Sequence, residues 1–301
     1  MPSAVVFAYH QVGVRCLAVL LAHGIEVALV VSHEDDPGEN LWFDSVAELA
    51  ALAGIACIKP SSARDPDLAQ RMAAIAPDFI FSFYYRSMLP PALLALARRG
   101  AYNMHGSLLP KYRGRAPVNW AVLKGERQTG ATLHRMVEKP DAGAVVAQQA
   151  VPILPDDRAF DVMVKVTVAA EMALDAVLPA LIKGEARETP LDLAAGSYFG
   201  GRRPEDGRVD WRQPASDIHN LVRAVAPPYP GAFCTLPAGS SLRLLRTLRQ
   251  PQRVPKHHVP TLYCEGETVL ADCADGGVLR LLEWEGDWDR QPVQLALQLA
   301  A

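Results

Sequence analysis

Short apolar runs alternate with longer amphipathic stretches over the first eighty residues of the chain. This pattern predicts strands at residues 4–8, 26–32, 55–58 and 79–83 and helices at residues 14–22, 45–53 and 68–75. Such a rhythm is typical of parallel βαβ units, so we predict an α/β fold with a doubly wound, mainly parallel sheet. Ligands of these sheets bind beyond the carboxyl ends of the strands, which makes residues 83–88 and 103–107 candidate binding segments.

One long helix is predicted at residues 157–183, where the apolar positions recur at helical spacing. We expect this stripe to pack into the core and to carry no chemistry. It consists of Phe160, Met163, Val166, Ala170, Ala173, Val177 and Leu181.

Beyond the long helix the composition shifts to glycine, proline and arginine, and then to short β-rich runs. Predicted strands at residues 268–273 and 278–282 flank an Asp-Gly pair at 275–276, which is a strong hairpin signal. We therefore predict two domains. Residues 1–200 form the doubly wound domain, and residues 201–301 form a small, β-rich, barrel-like domain.

Composition and charge narrow the class of partner. The chain has 301 residues, of which 50% are hydrophobic and 21% charged, as in ordinary globular proteins. Thirty basic and 33 acidic residues give a net charge of -3, the wrong sign for a protein that holds nucleic acid mainly through phosphates. We expect a small-molecule substrate and no nucleic-acid partner.

The sequence also predicts a soluble, cytoplasmic protein. Its five cysteines are scattered and form no C-x-x-C pair, which favours a reducing compartment. His10, Gln11 and Arg15 interrupt the apolar residues near the start, so we expect no signal peptide. Membrane insertion is not expected either, because no apolar run approaches the length of a membrane span.

The densest group of chemically unusual residues lies at 103–117. Asn103 and His105 are two residues apart on an extended segment, so their side chains project from the same side. An amide donor and an imidazole in this arrangement suit acyl transfer to an amine, in which an oxyanion develops and the nitrogen loses a proton. Asp141, in the turn at 139–143, can lie beside His105 and favour its imidazolium form. From these residues alone, a turn-forming Asn103 and an ordinary hydrogen-bonded His105 remain alternatives.

Motifs for other common chemistries are missing. Neither G-x-G-x-x-G after the first strand nor G-x-x-x-x-G-K-[ST] is present, so we expect no dinucleotide or triphosphate cradle. His257 and His258 are adjacent but have no cysteine or carboxylate close by in sequence, so we interpret them as surface residues and predict no metal.

Residues 103–143 resemble the signature of folate-dependent formyltransferases. Asn-x-His is followed by Ser-Leu-Leu-Pro, a basic Arg-Gly turn, Ala-Pro and, later, Asp-x-Gly. The resemblance implies 10-formyltetrahydrofolate as co-substrate and an OB-like C-terminal domain. It also implies a catalytic trio in which Asn103 holds the formyl oxygen, His105 handles protons and Asp141 tunes His105.

Folate-binding positions follow from the same resemblance. It places the pterin along one loop after the fourth strand and along the turn that contains Asp141. The implied positions are Ser87, Met88, Leu89, Arg115, Val137, Glu138, Lys139, Pro140 and Asp141. A plain helix entry at 87–89 and a solvated loop charge at Arg115 remain alternatives.

Three acceptor amines occur among such relatives: the methionine of an initiator tRNA, a glycinamide nucleotide, and an amino sugar on a nucleotide. The length disfavours the glycinamide enzyme, which resembles a single domain without a tail. The slightly acidic charge disfavours the methionyl-tRNA formyltransferase, although it remains an alternative. A non-catalytic sugar-nucleotide-binding module is the alternative from a different class.

Several runs are most similar to the module of bacterial bifunctional polymyxin-resistance proteins that formylates UDP-4-amino-4-deoxy-L-arabinose. They are residues 5–10, 81–86, 105–107, 199–203, 219–225 and 229–233. This likeness implies a role in lipid A modification. The bifunctional relatives also carry an oxidative decarboxylase module, which this sequence lacks, so we expect the two steps to be separate.

A nucleotide-linked sugar needs cationic partners for its diphosphate and a flat surface for its base. The candidates cluster near the predicted domain junction. They are Tyr198, Arg202, Arg203, Arg223 and Tyr229. A solvated linker at 200–204 remains the alternative, and the oligomeric state is left open.

Overall fold

The computed structural model of the chain describes residues 1–295. These residues form two compact units. The first comprises residues 1–117, 128–152 and 164–199, and the second comprises residues 118–127, 153–163 and those from 200 onward. The domain boundary between residues 200 and 201 stays a prediction, and the last six residues of the predicted second domain, 296–301, lie outside the described residues.

The elements of the first unit alternate as the hydrophobic pattern predicts. Its strands are β1 (Ser3–Ala8), β2 (Glu26–Val31), β3 (Cys57–Ile58), β4 (Phe79–Phe83), β5 (Gly100–His105), β6 (Arg113–Gly114), β7 (Gln128–Arg135), β8 (Val145–Pro152) and β9 (Tyr198–Phe199). Its helices are α1 (His10–Ala22), α2 (Val46–Leu52), α3 (Pro66–Ile75) and α4 (Pro91–Leu94). Two further helices, α5 (Pro117–Leu123) and α6 (Ala159–Lys183), have residues in both units.

A seven-stranded sheet in the order β3-β2-β1-β4-β5-β7-β8 forms the centre of the first unit. The strands from β3 to β5 are parallel, and β7 and β8 are antiparallel to their neighbours. The predicted α/β fold with a doubly wound, mainly parallel sheet is therefore confirmed. The strand predicted at 55–58 is shorter, because only its last two residues pair with β2.

Burial follows from strands that are covered on both faces. Every residue of β4 is buried, as parallel strands between two layers of helices require. On one face, Phe7 and Ile80 pack with Leu68 and Met72 of α3 in one core cluster. The carboxyl ends of β1, β4 and β5 meet at one edge of the sheet, so the loops that follow these strands lie close together.

The long helix α6 confirms the predicted apolar stripe. Met163, Val166, Ala170, Ala173 and Leu181 are buried. Phe160 and Val177 are only partly buried. The helix continues through Pro179 to Lys183, where a basic residue in the last turn suits the helix dipole.

The second unit is β-rich, as predicted. It contains α7 (Ala215–Val225) and the strands β10 (Ala232–Thr235), β11 (Ser241–Arg249), β12 (Thr261–Glu265), β13 (Thr268–Asp272), β14 (Val278–Glu285) and β15 (Val293–Gln294). The strands form an antiparallel sheet in the order β10-β11-β14-β13-β12-β15. The predicted hairpin is present between β13 and β14, with Gly276 in the left-handed region at φ 78°. Within residues 1–295, none of the helices combines the length and the hydropathy needed to cross a membrane.

Two leucine substitutions test the assignment of the core. Leu68, on α3, is 2% exposed, whereas Leu52, on α2, is 87% exposed. We expect Leu68→Ala to lower the free energy of unfolding by about 2 to 5 kcal/mol, because it leaves a cavity. Leu52→Ala makes the same chemical change at the surface and should change it by less than about 0.5 kcal/mol. Urea unfolding of both variants measures the difference, and equal losses would contradict the packing.

Candidate active site

The end of β5 places Asn103 and His105 on one side of the sheet edge, as their two-residue spacing predicts. His105 is 6% exposed, and Asn103 is partly buried. Asp141 lies in the turn between β7 and β8, with its backbone in the left-handed region at φ 49°. Its Oδ1 atom lies 3.6 Å from Nδ1 of His105 and 3.5 Å from Nδ2 of Asn103. The structure thus brings the three residues of the predicted trio together.

The carboxylate of Asp141 is kept charged although it is largely shielded from solvent. Its Oδ2 atom accepts a hydrogen bond of 2.9 Å from the backbone N–H of Gly114. Burial by itself raises the pKa of Asp141, but attraction to the His105 and His134 rings when they carry a proton, together with the Gly114 N–H, lowers that pKa below its usual value. The charged form of Asp141 is therefore favoured.

The hydrogen bonding of His105 fixes its tautomer. Its Nε2 atom lies 2.7 Å from the backbone carbonyl oxygen of Tyr112. Because a carbonyl oxygen only accepts, Nε2 carries the proton, and Nδ1 of the neutral ring keeps its lone pair on the side of Asp141. The 3.6 Å from Nδ1 to the carboxylate is too long for a hydrogen bond. A proton that binds to Nδ1 is stabilised by the negative charge of the Asp141 carboxylate.

The expected effect of Asp141 on the pKa of His105 is present but does not dominate. Burial lowers the pKa of His105, and the neighbouring carboxylate of Asp141 and the Tyr112 carbonyl oxygen raise it only in part. The carboxylate thus favours the imidazolium form in the expected direction, but burial of the ring lowers the pKa of His105 by more. Desolvation of a fully enclosed ring outweighs a carboxylate with which it makes no hydrogen bond. His105 rests as a neutral base.

His134 is a member of the site that the sequence analysis missed. It is 2% exposed and lies on β7 directly opposite Asn103. Its Nδ1 atom donates to the carbonyl oxygen of Arg135 at 2.9 Å, so its Nε2 atom accepts from Nδ2 of Asn103 at 3.0 Å. This contact orients the amide, whose second N–H faces Oδ1 of Asp141 at the longer distance of 3.5 Å. Only the strand pairing reveals it, since His134 is 31 residues from Asn103 in sequence.

A buried polar network holds the loop that supplies the Tyr112 carbonyl. Ser107 is fully buried, and its Oγ atom donates to the carbonyl oxygen of Lys111 at 2.7 Å. Thr132 donates to the carbonyl oxygen of Ser107 at 2.6 Å and accepts from Gln148 at 3.0 Å. Every donor in this network has a partner, so the loop has one well-defined position against β5.

The predicted folate positions lie in two segments of the first unit. Leu89 belongs to a buried core cluster, and Met136, the residue before the loop at 137–141, packs against the same cluster. The two predicted folate segments are therefore anchored on one part of the core. Met88 and Val137 expose apolar side chains, at 58% and 40%. Ser87, Glu138, Lys139 and Arg115 are also exposed, and Pro140 is partly buried.

The predicted sugar-binding residues differ in solvent exposure and in the contacts that their side chains make within the protein. Tyr198, in the first unit, is 58% exposed. In the second unit, Arg202 lies over the ring of Trp120 and donates to the carbonyl oxygen of Asp206. Arg203 is exposed to solvent. These three side chains keep surface that a ligand can contact.

Arg223 and Tyr229 are built into the second unit instead. Arg223 is 6% exposed, and its guanidinium donates to Asn220 and to the carbonyl oxygens of Asp157 and Val122. Tyr229 packs against the core of the sheet, and burial raises its pKa to about 12. Contacts of this kind stabilise the unit, and the function proposed below makes no use of either residue as a ligand.

Comparison with solved structures shows that the fold is shared with sugar formyltransferases. An N-formyltransferase from Helicobacter canadensis, in complex with folinic acid and dTDP-3-aminofucose, has a TM-score of 0.73 at 18% identity over 93% of this chain and 99% of its own. A sugar N-formyltransferase from a Shewanella species has a TM-score of 0.64 at 19% identity, covering 83% of this chain and 100% of its own. A 4-N formyltransferase from Francisella tularensis has a TM-score of 0.64 at 18% identity, over 80% and 95%.

Two family models match the sequence itself. The model described as "Formyl transferase" matches residues 13–178, which include the whole of the Asn103, His105 and Asp141 site. The model described as "Formyl transferase, C-terminal domain" matches residues 202–288. Because the first match alone covers more than half of the chain, the protein belongs to the formyl transferase family.

Proposed function

We propose that this enzyme transfers the formyl group of 10-formyltetrahydrofolate to the 4-amino group of a nucleotide-linked amino sugar, and that the sugar nucleotide is UDP-4-amino-4-deoxy-L-arabinose. The observation that carries the proposed chemistry is the neutral, buried His105, whose Nδ1 lone pair faces the Asp141 carboxylate beside the Asn103 amide. A base, an anion and an oxyanion donor are the groups that formyl transfer to an amine requires.

The proposed reaction begins when the sugar amine attacks the formyl carbon. The carbonyl oxygen becomes negative, and the Asn103 N–H that is not held by His134 donates to it, exchanging its long 3.5 Å contact with Asp141 for the oxyanion. The amine nitrogen becomes positive and gives a proton to Nδ1 of His105. Asp141 stabilises the imidazolium that forms. The bond from the formyl carbon to N10 of the folate then breaks, and N10 takes up the proton.

The co-substrate fits the residues that surround the trio. The exposed apolar surfaces of Met88 and Val137 suit the flat rings of a folate, and residues 137–139 of the neighbouring turn are exposed. Structures with a related fold were solved with folinic acid and with tetrahydrofolic acid. We propose Ser87, Met88, Leu89, Arg115 and the turn at 137–141 as the folate contacts.

The acceptor is proposed from two kinds of support. Solved proteins that share the fold include one bound to dTDP-3-aminofucose and one described as a 4-N formyltransferase. The sequence runs at 5–10, 81–86 and 105–107 favour UDP-4-amino-4-deoxy-L-arabinose over other amino sugars. This acceptor implies a cytoplasmic role in lipid A modification and polymyxin resistance.

Incubation with 10-formyltetrahydrofolate and a panel of amines tests the acceptor. We expect UDP-4-amino-4-deoxy-L-arabinose to gain the mass of one CO group, and mass spectrometry of the nucleotide detects that gain. Formylation of a dTDP-linked amino sugar or of methionyl-tRNA alone would keep the reaction and refute the acceptor. Transfer to none of the amines would support a non-catalytic binding module.

Removal of the oxyanion donor should affect turnover more than binding. We expect Asn103→Ala to lower kcat by about a hundred- to a thousandfold, the usual loss for one such donor. The dissociation constant of the sugar nucleotide should change little, because the amide acts on the developing oxyanion. Steady-state kinetics and equilibrium binding separate the two effects. A rise in KM at unchanged kcat would contradict the assigned role.

The pH dependence tests the coupling of Asp141 to His105. Burial holds the pKa of His105 below 6.5, so the acid limb of kcat/KM should lie below pH 6.5 in the wild type. Asp141 raises the pKa of His105, so its removal lowers that pKa further. Asp141→Asn should therefore reduce the rate and move the acid limb to still lower pH.

A matched control makes this shift interpretable. Asp67→Asn changes a carboxylate to an amide on the exposed first turn of α3, in the same unit. It should leave both the rate and the profile unchanged. An acid limb that stays in place in Asp141→Asn, or that moves to higher pH, would refute Asp141 as the residue that tunes His105.

A further inference from the structure

A cavity of about 320 Å³ opens at the carboxyl ends of β1 and β2, in the first unit. Its size is that of a small-molecule site, and this edge of a doubly wound sheet is where ligands bind. The residues of its lining that matter here are Tyr9, His10, Asp35, Phe43, Asp44 and Lys59. None of them belongs to the catalytic trio or to the folate and sugar positions proposed above.

One aromatic ring separates this cavity from the catalytic histidine. The ring of His10 stacks on that of Tyr84, with centroids 5.4 Å apart and planes 22° apart. The hydroxyl of Tyr84 lies so close to Gly106 that a Cβ atom there would be 1.9 Å from it. Gly106 directly follows His105. The cavity and the active site are therefore neighbours in the first unit, linked through the rings of His10 and Tyr84.

The charges around the cavity fit hydroxyl groups better than phosphates. Three carboxylates, those of Asp35, Asp44 and Glu48, line it together with one cation, Lys59, which is paired with Glu34 at 2.9 Å. A second cation, Arg86, lies over the ring of Tyr9 but is paired with Glu39 at 2.7 Å. The three carboxylates therefore disfavour an anionic phosphate in the cavity, whereas a carboxylate accepts hydrogen bonds from hydroxyls. The cavity is thus suited to the uncharged end of a nucleotide.

Asp35 is placed to accept from such a hydroxyl. Its Oδ1 atom accepts from the hydroxyl of Tyr9 at 2.8 Å, which positions the carboxylate while its remaining lone pairs keep accepting capacity. Asp35 follows β2. In doubly wound sheets that bind dinucleotides, an acidic residue about twenty residues beyond the first turn accepts from the ribose 2′-hydroxyl.

The same cavity provides an aromatic surface and an unpaired nitrogen. Phe43 packs edge-on against Tyr9, with centroids 5.3 Å apart, and is only partly buried. A flat apolar ring of this kind suits a nucleobase. Burial lowers the pKa of His10 to about 4, so its ring is neutral, and its buried Nδ1 atom has no hydrogen-bond partner among residues 1–295.

We infer that this cavity binds the nucleoside end of the acceptor, with the base against Phe43 and the ribose 2′-hydroxyl donating to Asp35. The inference rests on the proposed function, because it takes the acceptor to be a nucleotide-linked sugar. The diphosphate then lies between the cavity and His105, and the amino sugar lies at the trio. Asp35 is the residue that favours a ribonucleotide over a deoxyribonucleotide.

Calorimetric binding of UMP and of its 2′-deoxy analogue dUMP tests the assignment without folate or amino sugar. Asp35→Asn should weaken UMP binding roughly tenfold, as expected for a lost hydrogen bond to a charged group. It should leave dUMP binding within about twofold, because that ligand lacks the hydroxyl. Phe43→Ala should weaken both ligands alike, by about fivefold or more. Asp36→Asn, one residue away and outside the lining, is the matched control and should change neither.

Each other outcome overturns the inference. Unchanged UMP binding in Asp35→Asn, equal losses for UMP and dUMP in that variant, or a wild type that binds no UMP would each do so. The test is separate from that of the proposed function. If the enzyme formylates no UDP-sugar and UMP binding still depends on Asp35, the acceptor is wrong and the nucleoside site stands.

Discussion

Asp141 holds a negative charge where most solvent is excluded, and the arrangement of the active site depends on how that charge is compensated. A buried carboxylate without partners would take up a proton instead of remaining an anion. Here the backbone N–H of Gly114 donates to it, and the rings of His105 and His134 lie 3.6 and 3.5 Å away, where either ring attracts it once protonated. The pKa of Asp141 is consequently below its usual value, which favours the anion. An anion next to a neutral histidine favours transfer of a proton to that histidine.

Three separate parts of the chain have to meet for this compensation. His105 ends β5, His134 lies on the antiparallel neighbour β7, and Gly114 lies on β6, between those two strands in sequence. The turn that carries Asp141 closes tightly, since a Cβ atom at Gly143 would be 1.9 Å from the carbonyl oxygen of Arg135. The left-handed backbone conformation of Asp141, at φ 49°, is energetically unfavourable, and it directs the carboxylate towards β5. The antiparallel pairing of β5 with β7 thus brings together the residues that surround Asp141.

The sequence was sufficient to predict the fold class, most element positions and the proximity of Asn103, His105 and Asp141, whose catalytic roles stay a prediction. Periodicity identifies strands such as Phe79–Phe83, because burial on both faces leaves a continuous apolar run. Asn103 and His105 share a side because strand geometry alternates with a period of two, which needs no knowledge of the fold.

What the sequence could not supply depends on three-dimensional neighbours. His134 reaches Asn103 only through the pairing of β5 with β7. The direction of the pKa shift of His105 depends on how completely its ring is enclosed, which no local pattern encodes. Arg223 looked like a ligand for phosphate because it is cationic, yet its donors are used by carbonyl oxygens of its own unit.

The central claim is that His105 rests as a neutral base with its proton on Nε2, held there by the carbonyl oxygen of Tyr112. Long-range proton–nitrogen NMR spectra of the protein labelled at histidine test this claim most directly, with His105→Gln used to assign the signals. We predict that at pH 7 the His105 ring shows a protonated Nε2 and an unprotonated Nδ1. An imidazolium at pH 7, or a neutral ring with its proton on Nδ1, would contradict the account.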